Sequence, residues 1–539
     1  MKKLWRFRIL VRLLLACVCA HALAACSKGT HPPHRSDVLI IALYHEPVSL
    51  NPLYLDGTMS DMVGALGYSY LTTYDARNRI VTDAASVVPT LANGGIARDG
   101  KRITFHLRHD ITWQDGAPLT SRDVVFTFRA IMNPSNTTPS DEPYDRISRV
   151  RAPDPHTVIV ELKRPYAAIV SGFFGGDSDP ILPAHLLARY TNLNRVAYNS
   201  APIGSGPYRF THWAHGDRID LTANDRYYGG KPAIRNISLR IVENSATVVN
   251  ELLTGEVDTK LDADVSTIGA LRAIPGHRVI VTPTAHFCAA VFNLADPILR
   301  DVVLRRAFAM AIDRRMIVDK VADGLYDPDT GMRGLFTWAF NPDIGTLPYD
   351  PRRARTLLAQ DGWVVDSDGI RAKRGRRLEI QLAFYNSLRG AELIPLIAEQ
   401  ERAIGIDVTT RRYGPGLFAL DGPLYQGRFQ VAVLNLQSAT DPDPGAFLSC
   451  KQRAPNGVNW ARYCNAVVDR AIDRGASVFD RSARRRAYSV VQRQVIADVP
   501  MDFLWQISEI DVIPSRLQGF DPVLGYASVA RWRWQNATP

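Results

Sequence analysis

The chain has 539 residues, 46% of them hydrophobic, 22% charged and 9% aromatic, a profile that can bury large cores and so excludes a disordered or fibrous protein. At this length two or three sub-domains are expected, which excludes a single small module. Five of the 64 basic residues, Lys2, Lys3, Arg6, Arg8 and Arg12, fall in the first 25 positions, where there is no acid, so half of the formal +10 belongs to one short segment. The remaining excess is scattered. Its densest runs, Lys373–Arg377 and Arg484–Arg486, read as solvated faces, and no nucleic-acid partner is expected.

Residues 1–12 form a basic n-region, and Leu13–Ala25 is an apolar run. At about 1.5 Å per residue that run falls short of a roughly 30 Å hydrocarbon core, so 1–25 reads as a signal peptide. Leu23-Ala24-Ala25-Cys26 resembles the bacterial lipobox, which implies lipidation of Cys26; a generic signal peptide followed by a chance cysteine is the alternative. Several acyl chains anchor a protein durably where one does not. Residues 26–35, with Pro32-Pro33, then read as a tether. No later run reaches eighteen apolar residues, so no membrane span is expected after it.

Export suits the cysteines. Cys17 and Cys19 leave with the signal and Cys26 carries lipid, which leaves Cys288, Cys450 and Cys464. In an oxidising compartment Cys450 and Cys464 are the natural disulfide pair. Cys288, inside Phe287–Phe292, reads as a small buried hydrophobe. No C-x2-C spacing supports a zinc site.

Along the body, Val38–Leu43 predicts a buried strand and Glu46–Pro52 a turn. Asp99-Gly100 predicts a hairpin turn ahead of an alternating strand, Arg102–Leu107. Thr120 as N-cap and Asp123 at N3 open a helix carrying Val124, Val125, Phe128 and Ile131 on one stripe, stopped by Asn133-Pro134. Thr157–Leu162 is a further strand, and Pro207–Phe210 leads into a strand-rich stretch ending at Val242. Asp301–Ile312 predicts an amphipathic helix with Val303, Ala307, Met310 and Ala311 on one face. Asp350–Gly362 predicts a helix with Pro351 in its first turn and Gly362 as C-cap. Strands at 378–384, 406–411 and 429–434 and a helix at 391–404 complete an alternating pattern, that of an α/β lobe.

Tests for catalytic motifs fail. Gly95–Lys101 fits the start of a P-loop, but Arg102 stands where a hydroxyl is needed and a strand follows. His45-Glu46 cannot open a zinc helix, since Pro47 would break it and Ser49 replaces the second histidine. Gly204-Ser205-Gly206 lacks the full nucleophile elbow. Asp441-Pro442-Asp443 admits a cation site, an acid/base pair or a Pro-rich loop, the last being the ordinary reading. No cofactor and no metal site are expected, and the pattern favours a binder over an enzyme.

Several segments, in order, resemble the family 5 extracellular solute-binding proteins of bacterial ABC importers, which include dipeptide, oligopeptide and nickel receptors. They are Leu50-Asn51-Pro52-Leu53, Arg102–Phe128 with its D-G-x-P-L-T turn, Ile203–Tyr208, Asn224–Pro232, Leu253–Asp258, Asp301–Asp313 and Tyr349-Asp350-Pro351. Tyr228 replaces the Trp of the family's N-x-x-Y-W-G-G-x-P element. The resemblance spans roughly residues 38 to 534. It implies an α/β, bilobal, periplasmic-binding-protein-like clamshell of type II, in the large form with an extra sub-domain in lobe I. Lobe I would comprise 36–72, 203–285 and 505–539, the extra sub-domain 73–202, and lobe II 286–504.

It further implies a monomeric periplasmic receptor that is not an enzyme. Held to a membrane by its lipid anchor, such a receptor captures short peptides by hinge closure and passes them to the ABC permease. The same fold takes metal chelates, opines or sugars in other members, and a secreted peptide hydrolase is the rival of another class. In peptide-binding relatives an Asp in the loop before D-P-D-x-F pairs with the ligand's ammonium; here ungapped alignment places Thr440 there, and a one-residue slip brings Asp441. The 450–464 segment resembles the disulfide loop of dipeptide receptors. The expected ligand-binding set is Tyr44, His45, Glu46, Asn293, Trp338, Tyr385, Arg389 and Asp441.

Overall fold

The computed structural model describes residues 38–55, 57–138, 143–176, 179–328, 331–385 and 390–535. The segments expected to be a signal peptide (1–25) and a tether (26–35), with Cys26, and also Arg389, lie outside the described residues.

The β-branched run Val38–Leu43 is the edge strand of a four-stranded sheet. It runs parallel to Asn236–Ile241, with Val38 opposite Asn236, and the antiparallel strands Arg218–Ala223 and Tyr208–Ala214 follow. Leu39 and Ile41 are fully buried, as befits an apolar strand covered on its inner face.

A second sheet sets Thr157–Leu162 between Arg102–His106 and Ile147–Asp154, all antiparallel. Ile103 and Phe105 point into the core while Arg102 and His106 face out, the period of two seen in the sequence. The turn before it closes through Ala97 N–H to Arg102 O at 2.8 Å. Gly100 takes φ +68° there, a value that a side chain would oppose. On the helix Ser121–Ile131, Asp123 accepts from Thr120 N at 2.7 Å and also, from outside the helix, from Ala184 N at 2.8 Å. One apolar core runs from Leu39 and Ile41 through Phe105, Val124, Val160 and Phe173, so the 73–202 region and the first sheet share an interior.

The third sheet is mixed. Its order is Asp407–Tyr413, Glu379–Tyr385, Val431–Gln437, His277–Phe292 and Met501–Pro514, the first two pairings parallel and the last two antiparallel. The two long strands are absent from the sequence reading, because neither alternates cleanly: polar residues such as Thr282, Thr284 and His286 in the first and Gln506, Ser508, Glu509 and Asp511 in the second break the pattern. Helices Val302–Ala311 and Pro351–Gln360 pack beside this sheet, N-capped by Asp301 on Val303 N and Asp350 on Arg353 N. The first helix differs from the expectation of one apolar face. It is buried almost all round, Val303 only half so, and Arg305 is buried with its guanidinium donating to Leu299 O and Val499 O. Its polar position is satisfied by carbonyls rather than water.

Candidate functional site

The two long strands join the lobes. His277–Pro283 pairs with Ser508–Pro514, the register shifts between Pro283 and Phe287, and pairing resumes from Phe287 opposite Gln506 to Val291 opposite Met501. A third segment meets them there: Thr259 bridges to Ile41 and Lys260 to Val512. A register shift bends a strand and raises its twist, and this one lies between the halves of the molecule.

Beside the junction opens a cleft of about 960 Å³. Tyr44, His45, Met59 and Met62 line it from the first lobe, and His286, Asn435 and Gln437 from the second; Lys260, Asp262, Asp264 and Trp505 come from the joining segments. Tyr44 and His45 reach it because the first strand ends at Leu43, releasing the chain at the sheet's edge.

The junction is polar and acidic. Lys260 is 7% exposed, its Nζ donating to Leu261 O at 2.6 Å, and burial pulls its pKa below the ordinary value. Asp511 is fully buried and accepts from Asp262 N at 3.2 Å. Burial, with the neighbouring carboxylates adding to it, pushes Glu509 up to about 9 and Asp511 up to about 7. His286, half-buried in the cleft, is shifted down by burial. The acidic group escaped the sequence reading; two acids, Glu509 and Asp511, two apart in the apolar run 503–514, were the available signal.

The remaining residues of the expected set are engaged elsewhere. Glu46 turns to the hairpin of the first sheet and accepts from Trp213 Nε1 at 2.7 Å and Gly216 N at 3.1 Å, beside His215 Nδ1 at 2.8 Å. Asn293 is 3% exposed and ties Gly427 O, Phe429 O and Ala295 N together. Tyr385 packs edge-on against Phe418. Trp338 donates to Asp441 Oδ1 at 3.2 Å under the guanidinium of Arg481, 4.2 Å from its ring. Asp441 is 4% exposed and pairs with Arg484 at 2.7 Å. Cys450 and Cys464 are joined by a disulfide, and Cys288 is fully buried.

The Asp-Pro-Asp loop instead forms a clasp across the lobes. Asp443 Oδ2 accepts from Tyr166 Oη at 3.1 Å and lies 3.5 Å from Arg146, whose guanidinium stacks over the Tyr166 ring at 4.1 Å. Ala167 N–H donates to Ala476 O at 2.7 Å, and Ser171 Oγ lies 3.5 Å from Asp441 Oδ2. Both carboxylates are thus partnered, and neither is placed as a free acid or base. Among the described residues no group of three or more His, Cys, Asp or Glu is arranged to hold a metal ion, and no helix is long and apolar enough to cross a membrane.

Two lobes joined by paired strands, with a cleft between them, define a clamshell binding protein. Residues 86–457 match the model of the bacterial extracellular solute-binding proteins, family 5 Middle, and the chain belongs to that family, one of binding proteins rather than enzymes. It is 25% identical over 548 residues to the oligopeptide-binding protein AppA of Bacillus subtilis, covering 97% of this chain and 98% of AppA. The crystal structure of NikZ from Campylobacter jejuni in complex with Ni(L-His) superposes with a TM-score of 0.76 at 25% identity, over 92% of this chain and 99% of NikZ. The Bacillus subtilis AppA structure in complex with a nonapeptide gives a TM-score of 0.74 at 22% identity, over 92% and 98% of the two chains.

Proposed function

We propose that this protein is the peptide receptor of an ABC importer, lipid-anchored through Cys26 on the extracytoplasmic side and acting as a monomer. It takes di- or oligopeptides into the cleft, closes lobe II (286–504) against lobe I with its extra sub-domain (73–202), and hands the ligand unaltered to the permease. The observation that carries this reading is the cleft itself, large enough for a short peptide and lined from both lobes. Only contacts made to both lobes at once can drive closure, because a ligand shifts a conformational equilibrium by its differential affinity for the two states. Tyr44 and His45 provide such contacts from lobe I, and Asn435 and Gln437 from lobe II.

The likeness to AppA, an oligopeptide-binding protein, supports the peptide assignment. A metal-chelate ligand is the second reading, favoured by the presence of His45 and His286 in one cleft and by the likeness to NikZ in complex with Ni(L-His).

Mass spectrometry of ligand released from host-purified, denatured protein separates the two. Added peptide should compact the protein in small-angle scattering and raise its melting temperature; at 100 times Kd the stabilisation is about 2.7 kcal/mol. Recovery of cleaved peptide, or no compaction with any peptide, chelate or opine, would refute the receptor reading.

A further inference from the structure

We propose that the cleft selects ligands carrying a positive charge, an ammonium or guanidinium received by the carboxylate of Asp262 with Glu509 and Asp511 beside it. This rests on the receptor reading above and adds the ligand's charge to it.

The charges of the cleft run against those of the chain. The whole sequence is formally +10, yet among the described residues no arginine lines the cleft, and the fixed charges there are Lys260, Asp262 and Asp264. Lys260 is not presented to a ligand, being buried with its ammonium on the Leu261 carbonyl. Asp264 is occupied in capping, accepting from Ser266 N at 2.8 Å. His286, shifted down by burial, is neutral at pH 7 and adds no cation; Tyr526, the other titratable group near these acids, is shifted up by burial and stays neutral.

Asp262 differs from its neighbours. It is exposed, lines the cleft and sits at φ +54°, a left-handed conformation that side chains seldom adopt. Its N–H is tied to Asp511 Oδ1, while its carboxylate takes part in no hydrogen bond or ion pair with another described residue. Beside it is a second carboxyl group with one oxygen unsatisfied. Asp511 is fully buried, no N–H donor reaches its Oδ2, and the group next to it is another carboxyl, Glu509.

Three carboxylates facing one lysine leave an excess of negative charge in a partly desolvated place, and such an excess is costly unless it is neutralised. Without ligand the site takes up protons, as the raised Glu509 and Asp511 show. A ligand cation provides the same neutralisation, and protons then leave as it binds. Since the described acids do not converge as metal ligands do, an organic cation with donors spread over several directions suits them.

The test uses the detergent-solubilised full chain and two alanine peptide series of two to nine residues, one carrying a single lysine and the other norleucine in its place. Calorimetry should show the lysine peptides binding at least tenfold more tightly at every accepted length. In buffers of different ionisation enthalpy at pH 7.5, they alone should release protons. Asp262→Asn, placed where asparagine takes positive φ readily, should melt no lower than the wild type and reduce the lysine preference to under threefold. Equal affinity for both series overturns the inference and leaves the receptor reading standing. Full lysine preference in a stably folded Asp262→Asn protein also overturns it. Binding of neither series, with no compaction in scattering, overturns both.

Discussion

Asp441 and Arg484 face each other inside lobe II with both side chains 5% exposed, Nη1 lying 2.7 Å from Oδ1. The same nitrogen is 2.9 Å from Oδ2, and Nη2 donates to Pro442 O at 3.2 Å. The family resemblance implies an ammonium-binding role for Thr440 or Asp441. In this chain Asp441 already has a cation, supplied by its own helix Arg481–Asp498. Asp441 therefore acts as a structural ion pair supporting the Asp-Pro-Asp loop.

Arg484→Ala should destabilise the protein by about 3–5 kcal/mol, because it leaves a buried carboxylate without its counter-charge. Pairing it with Asp441→Leu should recover most of the loss, since replacing both partners of a buried pair by apolar groups is often close to neutral. Urea unfolding of the two variants checks both values; equal losses would show that the pair is not coupled.

Tyr166→Phe removes the hydroxyl that reaches Asp443 across the lobes. A hydrogen bond of this kind contributes about 0.5–1.5 kcal/mol, and more when the acceptor is charged, so the closed state should lose up to roughly tenfold in population. Scattering of the ligand-free variant should give a larger radius of gyration, and ligand affinity should fall by a similar factor. Unchanged scattering and affinity would mean that the clasp does not bias closure.

Stability should fall as pH rises through the range set by Glu509 and Asp511. Both acids have folded-state pKa values raised above those of the unfolded chain, to about 9 and about 7. Between pH 4.5 and 9 the native state therefore holds more protons than the unfolded one, and the linkage relation makes stability decrease with pH there. Glu509→Gln should leave the melting temperature unchanged near pH 4 and raise it by a few degrees at pH 8–9 in the ligand-free protein. A parallel shift across the whole range would show that Glu509 does not titrate in this window.

Replacing Cys450 and Cys464 together by serine opens a loop with a sequence separation of 14. The chain-entropy model assigns such a loop about 3 kcal/mol. The double variant should lose about that much in denaturant unfolding, whereas reduction of a protein lacking only Cys288 should give the same loss as reduction of the wild type.

The regular elements were legible where local chemistry alone decides them. Val38–Leu43 and Thr157–Leu162 occupy the spans their sequences predict. The helix after Thr120 begins where its N-cap and Asp123 place it. The long strands His277–Phe292 and Met501–Pro514 were not legible. Their pairing joins residues more than two hundred positions apart, and no local pattern encodes such a partner.

The site shows the same division more sharply. Tyr44 and His45 line the cleft because a strand visible in the sequence ends just before them. Glu46, Asn293 and Asp441 have the right chemistry for ligand contacts, but partners distant in sequence, among them Trp213, Phe429 and Arg484, occupy their polar atoms. By itself the sequence determined the family, the alternation of strands and helices and the capping of individual helices, since these depend on residues close along the chain. Only the tertiary structure decided which acids pair with the protein's own cations and which, like Asp262, remain open to a ligand, because desolvation and ion pairing depend on what packs around a group in space.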